Sequence, residues 1–193
     1  IAVKVLVPPN PKDPDLVQLV ADESTRRFIK EYHLLRRLRH PNIVRTYGLV
    51  HDPNMGQCLM LEYIDGKSLE DLLGKQEGKR LPLPTAFAII EKVAEAIKYC
   101  HENGVIHRDI KPANILMKED GVEADGSAKY VPIVCDFGIS KDTNVATQTQ
   151  NARIGSPARM SPEQAREEST TPATDVFGVG TLLFEITTGH RAY

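Results

Sequence analysis

The hydrophobic period changes about a third of the way along this chain of 193 residues, and this change limits the folds open to it. Residues 1–7, 43–50 and 57–63 are short β-type runs, the last two separated by a turn at 52–56, and they predict three strands. Beyond residue 68 the apolar residues recur mainly at helical spacing. A strand-rich first third and a helix-rich remainder predict an α+β pair of lobes.

The helical periodicity predicts longer helices at residues 22–38, 85–103 and 173–188. Gly104 and Gly189 are expected to end the second and third of these helices. An apolar stripe on the second helix is expected to face the core, and it consists of Ala86, Ile90, Val93, Ile97 and Cys100.

Shorter elements are also predicted in the second part of the chain. Ser68 and Asp71 resemble a capping box that opens a short helix. Residues 118–129 are polar and contain glycine, so we expect a surface insertion there. Short β-type pieces are expected at residues 105–106, 115–117 and 131–135.

Charge and cysteine content exclude several classes of function. The formal net charge of −2 is too balanced to indicate nucleic acid or an acidic membrane as the main partner. The three cysteines are too few and too widely spaced for a disulfide framework or a zinc site, which favours reduced thiols. No signal peptide and no apolar run long enough to span a membrane are evident. We therefore expect a cytoplasmic or nuclear protein.

The strongest motif lies at residues 107–114, where His-Arg-Asp-Ile-Lys-Pro-Ala-Asn has the form H-R-D-x-K-x-x-N. Asp136, Phe137 and Gly138 follow a β-type run further along the chain. Together these segments resemble the catalytic loop and the D-F-G tripeptide of eukaryotic-type protein kinases. The Lys at position 111 resembles the Ser/Thr-type rather than the Tyr-type members of that family.

Other segments are similar to the same family. Ile1-Ala2-Val3-Lys4 resembles the strand that ends in the phosphate-binding Lys, and Glu31 matches the Glu that pairs with it. Residues 40–44, His-Pro-Asn-Ile-Val, resemble the lead into the next strand. Ser161-Pro162-Glu163 resembles the A-P-E motif, and Asp175 matches an Asp that braces the catalytic loop.

The resemblance implies a two-lobed kinase-like fold with a small strand-rich N-lobe and a mainly helical C-lobe. The implied N-lobe covers residues 1–61, the hinge 62–67 and the C-lobe 68–193, with an activation segment at 136–163. No G-x-G-x-x-G motif occurs, and the later helices of the family are missing. We therefore expect both lobes to be incomplete, as in a domain truncated at both ends.

The implied activity is transfer of the terminal phosphoryl group of ATP to a hydroxyl of a protein substrate, with Mg²⁺. This reaction needs positioning and charge neutralisation more than covalent help. By resemblance, Asp109 acts as the base, Lys111 is a cation near the transferred phosphate, and Lys4 binds the other phosphates while Glu31 holds it. Asn114 and Asp136 offer the hard oxygen ligands that Mg²⁺ prefers.

The resemblance also implies a nucleotide pocket. Ala2, Leu61 and Leu116 match positions that enclose the adenine, with Leu61 as the gatekeeper, and each is also compatible with plain core packing. Glu62 and Ile64 belong to the implied hinge and are expected to bind the nucleotide as well.

Regulation by phosphorylation is a further expectation. By resemblance, Arg108 binds a phosphate on the activation segment, and the candidate acceptors are Thr143, Thr147 and Thr149. An upstream kinase or trans-autophosphorylation would supply that phosphate.

Structural roles compete with chemical ones at several positions. Lys4 and Glu31 taken alone could form an ordinary solvated ion pair. His107 is expected to pack and brace the backbone, and Cys135 to be a structural thiol. Gly178 and Gly180 lower helix propensity, so close packing is expected to favour the helix that contains them.

The chain departs from the family pattern at Arg159, which replaces the usual aromatic residue, and at Ser161, which replaces the usual Ala. These changes leave the peptide preference open. The alternative function is a non-catalytic kinase-like binding or scaffold module.

Overall fold

The structure is a computed structural model that describes residues 1–5, 25–26, 28–122, 128–137 and 159–192. The chain divides into two units, each with its own contacts. The first unit comprises Ile1–Arg39 with Val44–Ile64, and the second comprises His40–Ile43 with Asp65–Tyr193.

The first unit contains an antiparallel sheet of strands β1 (Ala2–Val5), β2 (Thr46–Asp52) and β3 (Gly56–Leu61), in the order β1-β3-β2. The predicted turn joins β2 to β3, and the Asp52 carboxylate accepts hydrogen bonds from two backbone amides within it. The β2 strand begins three residues later than the sequence predicts. The reason is that Ile43 forms an isolated parallel bridge to Val134 and so belongs to the second unit.

A helix, α1, packs in the first unit and spans residues 28–35, with residues 25–26 also helical. Phe28 and Leu35 are buried on it, as the predicted spacing requires, and Leu38 is buried just beyond its end. Residues 36–37 form a turn, so the described helix ends before the predicted limit. The buried face also contains Glu31, whose partner is described below.

The second unit contains another antiparallel sheet, formed by β4 (Gly66–Ser68), β5 (Ile115–Val122) and β6 (Ala128–Val134) in the order β4-β5-β6. The predicted surface insertion at 118–129 includes residues 118–122 of β5, which are exposed, and β5 and β6 pair as strands there. Exposed polar residues on both strands give no alternation that periodicity could detect. Residues 105–106 are not a strand.

Helices form a large part of the described residues of the second unit. They are α2 (Leu69–Gly74), α3 (Leu83–Glu102), α4 (Pro162–Ala165) and α5 (Pro172–Thr188), with short 3₁₀ turns at Glu77–Lys79 and Pro112–Asn114. The hydroxyl of Ser68 caps α2 by accepting from the Asp71 amide, 3.0 Å away. The α3 helix begins two residues before the predicted start, with a proline in its first turn, where no amide donor is needed. Ile89, not Ile90, is buried on α3.

The α5 helix is fixed at both ends. The Thr171 side chain caps its start, and Gly189 ends it with φ of 76°, a left-handed conformation that suits glycine. A Cβ on Gly178 would lie 3.0 Å from the Cβ of Ile110, whereas a Cβ on Gly180 would meet nothing within 4 Å. Close packing against Ile110 therefore explains Gly178, whereas Gly180 has no such contact.

In the part of the chain that the structure describes, no helix combines the length and the apolarity that crossing a bilayer would require.

Candidate active site

In the first unit, Lys4 on β1 and Glu31 on α1 form an ion pair. Lys4 Nζ donates to Glu31 Oε1 over 2.9 Å. The Glu31 side chain is only 1% exposed, while that of Lys4 is 31% exposed. Because a buried carboxylate is costly without a partner, this pair differs from a solvated surface pair. The fold thus holds the Lys4 ammonium in one place.

The first unit also brings together two of the residues predicted to enclose adenine. Ala2 lies directly opposite Leu61 in the pairing of β1 with β3. Glu62 follows that strand and donates its backbone amide to the Arg45 carbonyl over 2.8 Å, and Ile64 is buried. Leu116 lies on β5, in the second unit.

In the second unit, Asp109 accepts hydrogen bonds from two residues of the predicted catalytic loop. Lys111 Nζ donates to Asp109 Oδ2 over 2.9 Å. Asn114 Nδ2 donates to the same oxygen over 3.0 Å and to the Asp109 carbonyl over 2.8 Å. The Asp109 carboxylate is therefore fixed in orientation and lies next to a cation.

Strand pairing brings Asp136 to the same place. The β5 strand begins at Ile115 and β6 ends at Val134, and these two residues are paired. The segments flanking that pair are consequently neighbours, and the Cys135 amide donates to the Asn114 carbonyl over 3.0 Å. Asn114 Nδ2 in turn lies 3.4 Å from the Asp136 carbonyl. The structure thus groups Asp109, Asn114 and Asp136.

Asp175 anchors the loop that carries Asp109. It is buried in the first turn of α5 and accepts from the backbone amides of His107 over 2.8 Å and Arg108 over 2.7 Å. His101 Nε2 lies 2.8 Å from the same carboxylate. Sequence reasoning missed His101. Its position in the last turn of α3, just before the loop, could have indicated a contact with that loop.

His107 acts as a brace with both ring nitrogens engaged. Its Nδ1 accepts from the Asp109 amide over 3.2 Å, and its Nε2 donates to the Cys135 carbonyl over 3.0 Å. Burial lowers the pKa of His107, which favours the neutral ring that this arrangement needs. The Phe137 ring packs on it, with centroids 4.5 Å apart. A packing and bracing role fits these contacts.

Two residues of the site adopt a backbone conformation that side chains other than glycine rarely take. Arg108 has φ of 68° and Asp136 has φ of 56°. Such conformations persist where surrounding contacts impose them. The backbone of Arg108 is held on both sides, because Asp175 binds its amide and Gln164 Nε2 donates to its carbonyl over 2.8 Å. Sequence reasoning missed Gln164.

The side-chain oxygens of Asn114 and Asp136 are suitable ligands for a magnesium ion. The amide nitrogen of Asn114 donates to Asp109, which leaves Oδ1 as its ligand atom, and Asp136 is exposed. Among the described residues there is no cluster of three or more His, Cys, Asp or Glu. A Mg²⁺ ion held by Asn114 and Asp136 would take its remaining ligands from water and phosphate.

Cys135 has a structural contact, since its Sγ lies 3.3 Å from the Asn114 carbonyl and can donate to it. The predicted acceptors Thr143, Thr147 and Thr149 lie outside the described residues, as does Gly138. The phosphate-binding role of Arg108 therefore stays a prediction.

Arg159, one of the two departures noted in the sequence, is part of an ion-pair network. It donates from Nε and Nη2 to the two carboxylate oxygens of Glu185, over 3.1 and 2.6 Å, and Nη2 lies 3.8 Å from Glu70. The hydrogen bond with Glu185 raises the pKa of the guanidinium. Arg159 thus ties the residues before α4 to α5 and α2.

Comparison with known proteins agrees with this geometry. The family model described as protein kinase domain matches residues 15–193. The serine/threonine-protein kinase PkaA of Streptomyces coelicolor is 37% identical over 195 residues, which cover 100% of this chain and 33% of that protein. PknB of Mycobacterium leprae, also named a serine/threonine-protein kinase, is 35% identical over 199 residues, covering 100% of this chain and 29% of that protein.

Among solved structures, the PknI kinase domain of Mycobacterium tuberculosis superposes with a TM-score of 0.71 at 22% identity, covering 99% of this chain and 64% of that one. This likeness confirms the predicted α+β, kinase-like fold class. The chain spans about a third of the length of the curated relatives that it matches. With the family model matching most of its residues, the chain belongs to the protein kinase family.

Proposed function

We propose that this chain is part of a serine/threonine protein kinase, which transfers the γ-phosphoryl group of ATP to Ser or Thr hydroxyls of protein substrates. The observation that carries the proposal is the Asp109 carboxylate, bonded to Lys111 and Asn114 on a loop that Asp175 anchors. The names of the relatives PkaA and PknB support the Ser/Thr assignment.

In this proposal Asp109 orients the attacking hydroxyl and accepts its proton, since its oriented carboxylate is a suitable base. Lys111, 2.9 Å from that carboxylate, offsets the negative charge that accumulates around the transferred phosphoryl group. Both groups are held before substrate arrives, which lowers the reorganisation that the reaction requires.

Lys4 neutralises charge on the remaining ATP phosphates, and its bond to the buried Glu31 keeps the ammonium in position. Asn114 and Asp136 would hold Mg²⁺, which when bound neutralises phosphate charge and orients the nucleotide. Ala2, Leu61 and Leu116 would line the adenine pocket, with Glu62 and Ile64 in the hinge.

The proposed lobe boundaries follow the sequence, with an N-lobe at 1–61, a hinge at 62–67, a C-lobe at 68–193 and an activation segment at 136–163. Phosphorylation of that segment, by an upstream kinase or in trans, would place a phosphate against Arg108. The three cysteines are free thiols, which supports a reducing compartment such as the cytoplasm.

Radiolabel transfer tests the proposal. The full-length protein containing this chain is incubated with γ-labelled ATP, Mg²⁺ and a generic basic protein, beside an isosteric Asp109→Asn variant. We expect label on Ser and Thr, and a loss of about 10²–10⁴-fold in the variant, the range typical of a removed general base. Intact ATP binding without any transfer would instead favour the non-catalytic binding module.

A further inference from the structure

The side chain of Gln164 connects two parts of the second unit that are distant in sequence. Its Oε1 accepts from the Ser161 amide over 3.1 Å, completing the capping box of α4. Its Nε2 donates to the carbonyl of Arg108 over 2.8 Å, across 56 residues of sequence. One carboxamide therefore caps α4 and also holds the loop that carries Asp109.

The bond to Arg108 acts on the peptide unit directly before Asp109. At one end of this unit the Arg108 carbonyl accepts from Gln164, and at the other the Asp109 amide donates to His107 Nδ1. The unit follows a residue with φ of 68°, so its backbone conformation needs external support. Loss of the Gln164 bond would therefore loosen the backbone directly before Asp109, the residue that contacts Lys111 and Asn114.

The α4 helix, which contains Gln164, is itself held against α5. Thr174 Oγ1 on α5 donates to Glu163 Oε1 on α4 over 2.5 Å. Ser161, the residue that caps α4, is fully buried. The α4 turn is consequently fixed against α5, the same helix whose Asp175 holds the other side of the Arg108 backbone.

We propose that Gln164 is a positioning residue for Asp109, acting through the Arg108 carbonyl. The inference rests on the proposed kinase activity and adds a specific link between the residue directly after the activation segment and the proposed base, Asp109. The carboxamide suits this position because its oxygen accepts from Ser161 while its nitrogen donates to Arg108.

Two variants separate the structural and the positioning contributions. Gln164→Glu has the same shape and keeps an acceptor for the α4 cap, but it loses the donor to the Arg108 carbonyl. Ser161→Ala removes the hydroxyl from the cap and leaves the carboxamide of Gln164 intact. Both are made in the full-length protein, and transfer is measured in a single turnover so that product release does not conceal the chemical step.

We expect Gln164→Glu to slow single-turnover transfer about tenfold, equivalent to one lost hydrogen bond, while the affinity for ATP stays within about twofold. Ser161→Ala is expected to keep the rate within about twofold of the wild type. Amide hydrogen exchange at Arg108 and Asp109 should rise in Gln164→Glu alone, whereas exchange in α4 should rise in Ser161→Ala.

Wild-type rate and wild-type exchange at Arg108 and Asp109 in Gln164→Glu would overturn the inference while leaving the kinase activity standing. Equal effects of the two variants on rate and exchange would also overturn it, because Gln164 would then act only through α4. Should the wild type show no transfer, the proposed function fails, and exchange at Arg108 and Asp109 decides alone whether Gln164 holds the loop.

Discussion

Burial differs sharply between the two partners of the Lys4–Glu31 pair, and this asymmetry determines how each substitution should act. Glu31 is enclosed by its unit, whereas Lys4 keeps about a third of its side chain in contact with solvent. Removing the ammonium leaves a negative charge in a poorly solvated place, while removing the carboxylate leaves a cation that water can reach.

We therefore expect Lys4→Met to lower the free energy of unfolding by about 1–3 kcal/mol, below the usual value for a fully buried pair because Lys4 is partly exposed. Adding Glu31→Gln should recover part of this loss, since a neutral amide is cheaper to bury than a carboxylate. Urea unfolding of the two variants measures the difference. Equal free energies of unfolding for Lys4→Met with and without Glu31→Gln would show that the Glu31 carboxylate is not destabilising when Lys4 is absent.

The residue scale is also where sequence reasoning was least complete. The motif residues at 109, 111, 114 and 136 were found because their types and spacing are distinctive. Gln164, His101 and the pairing of Arg159 with Glu185 were not. Each depends on a hydrogen bond between residues 26 to 74 positions apart in sequence, and no local pattern encodes such a contact.

Among the secondary-structure elements, α5 shows how one helix can combine core packing with support of the loop that carries Asp109. Its first turn presents Asp175 to the loop, and one turn later Gly178 allows Ile110, the residue after Asp109, to approach the helix axis. The helix was predictable because its apolar run is long and ends in glycine. The β5–β6 extension was not, because its strands bury little apolar surface.

Gly178→Ala and Gly180→Ala form a matched pair on this helix. Alanine raises helix propensity by about 0.8–1 kcal/mol at either position, so Gly180→Ala should stabilise the protein by up to that amount. At Gly178 the new methyl group would lie 3.0 Å from Ile110, and we expect net destabilisation together with slower phosphoryl transfer. Thermal unfolding and single-turnover rates test this, and similar gains in both variants would contradict the close packing.

For the whole molecule, stability should pass through a maximum between about pH 7 and pH 9. Burial lowers the pKa of His107 and of His40 from 6.5, so below that pH the unfolded chain binds protons that the folded chain does not, and stability falls. Burial raises the pKa of Cys100 from 9.0 to about 12, so above pH 9 the unfolded thiol ionises first, and stability falls again.

The measurement is the free energy of unfolding in urea from pH 5.5 to pH 10. The decline on the acid side should reach at most about 1.4 kcal/mol per pH unit for each histidine, and it should be shallower in His107→Gln. The decline on the alkaline side should be shallower in Cys100→Ala. A wild-type slope that persists in His107→Gln would show that this ring does not stay neutral in the folded protein.

At this scale the change of hydrophobic period was sufficient to predict a strand-rich and a helix-rich part, and the motifs were sufficient to predict the family. Hydrophobic periodicity indicates which face of each helix or strand is buried. It therefore predicts the fold class, but it does not predict which residues contact each other.

The left-handed backbone at positions 108 and 136 has a practical consequence for engineering. Glycine adopts such dihedral angles without steric penalty, so a library screened for thermal tolerance alone would tend to enrich glycine at both codons. Each enriched clone would have discarded a guanidinium or a carboxylate that the proposed chemistry uses. Heat resistance and the proposed transfer activity should therefore be selected together in any directed evolution of this protein.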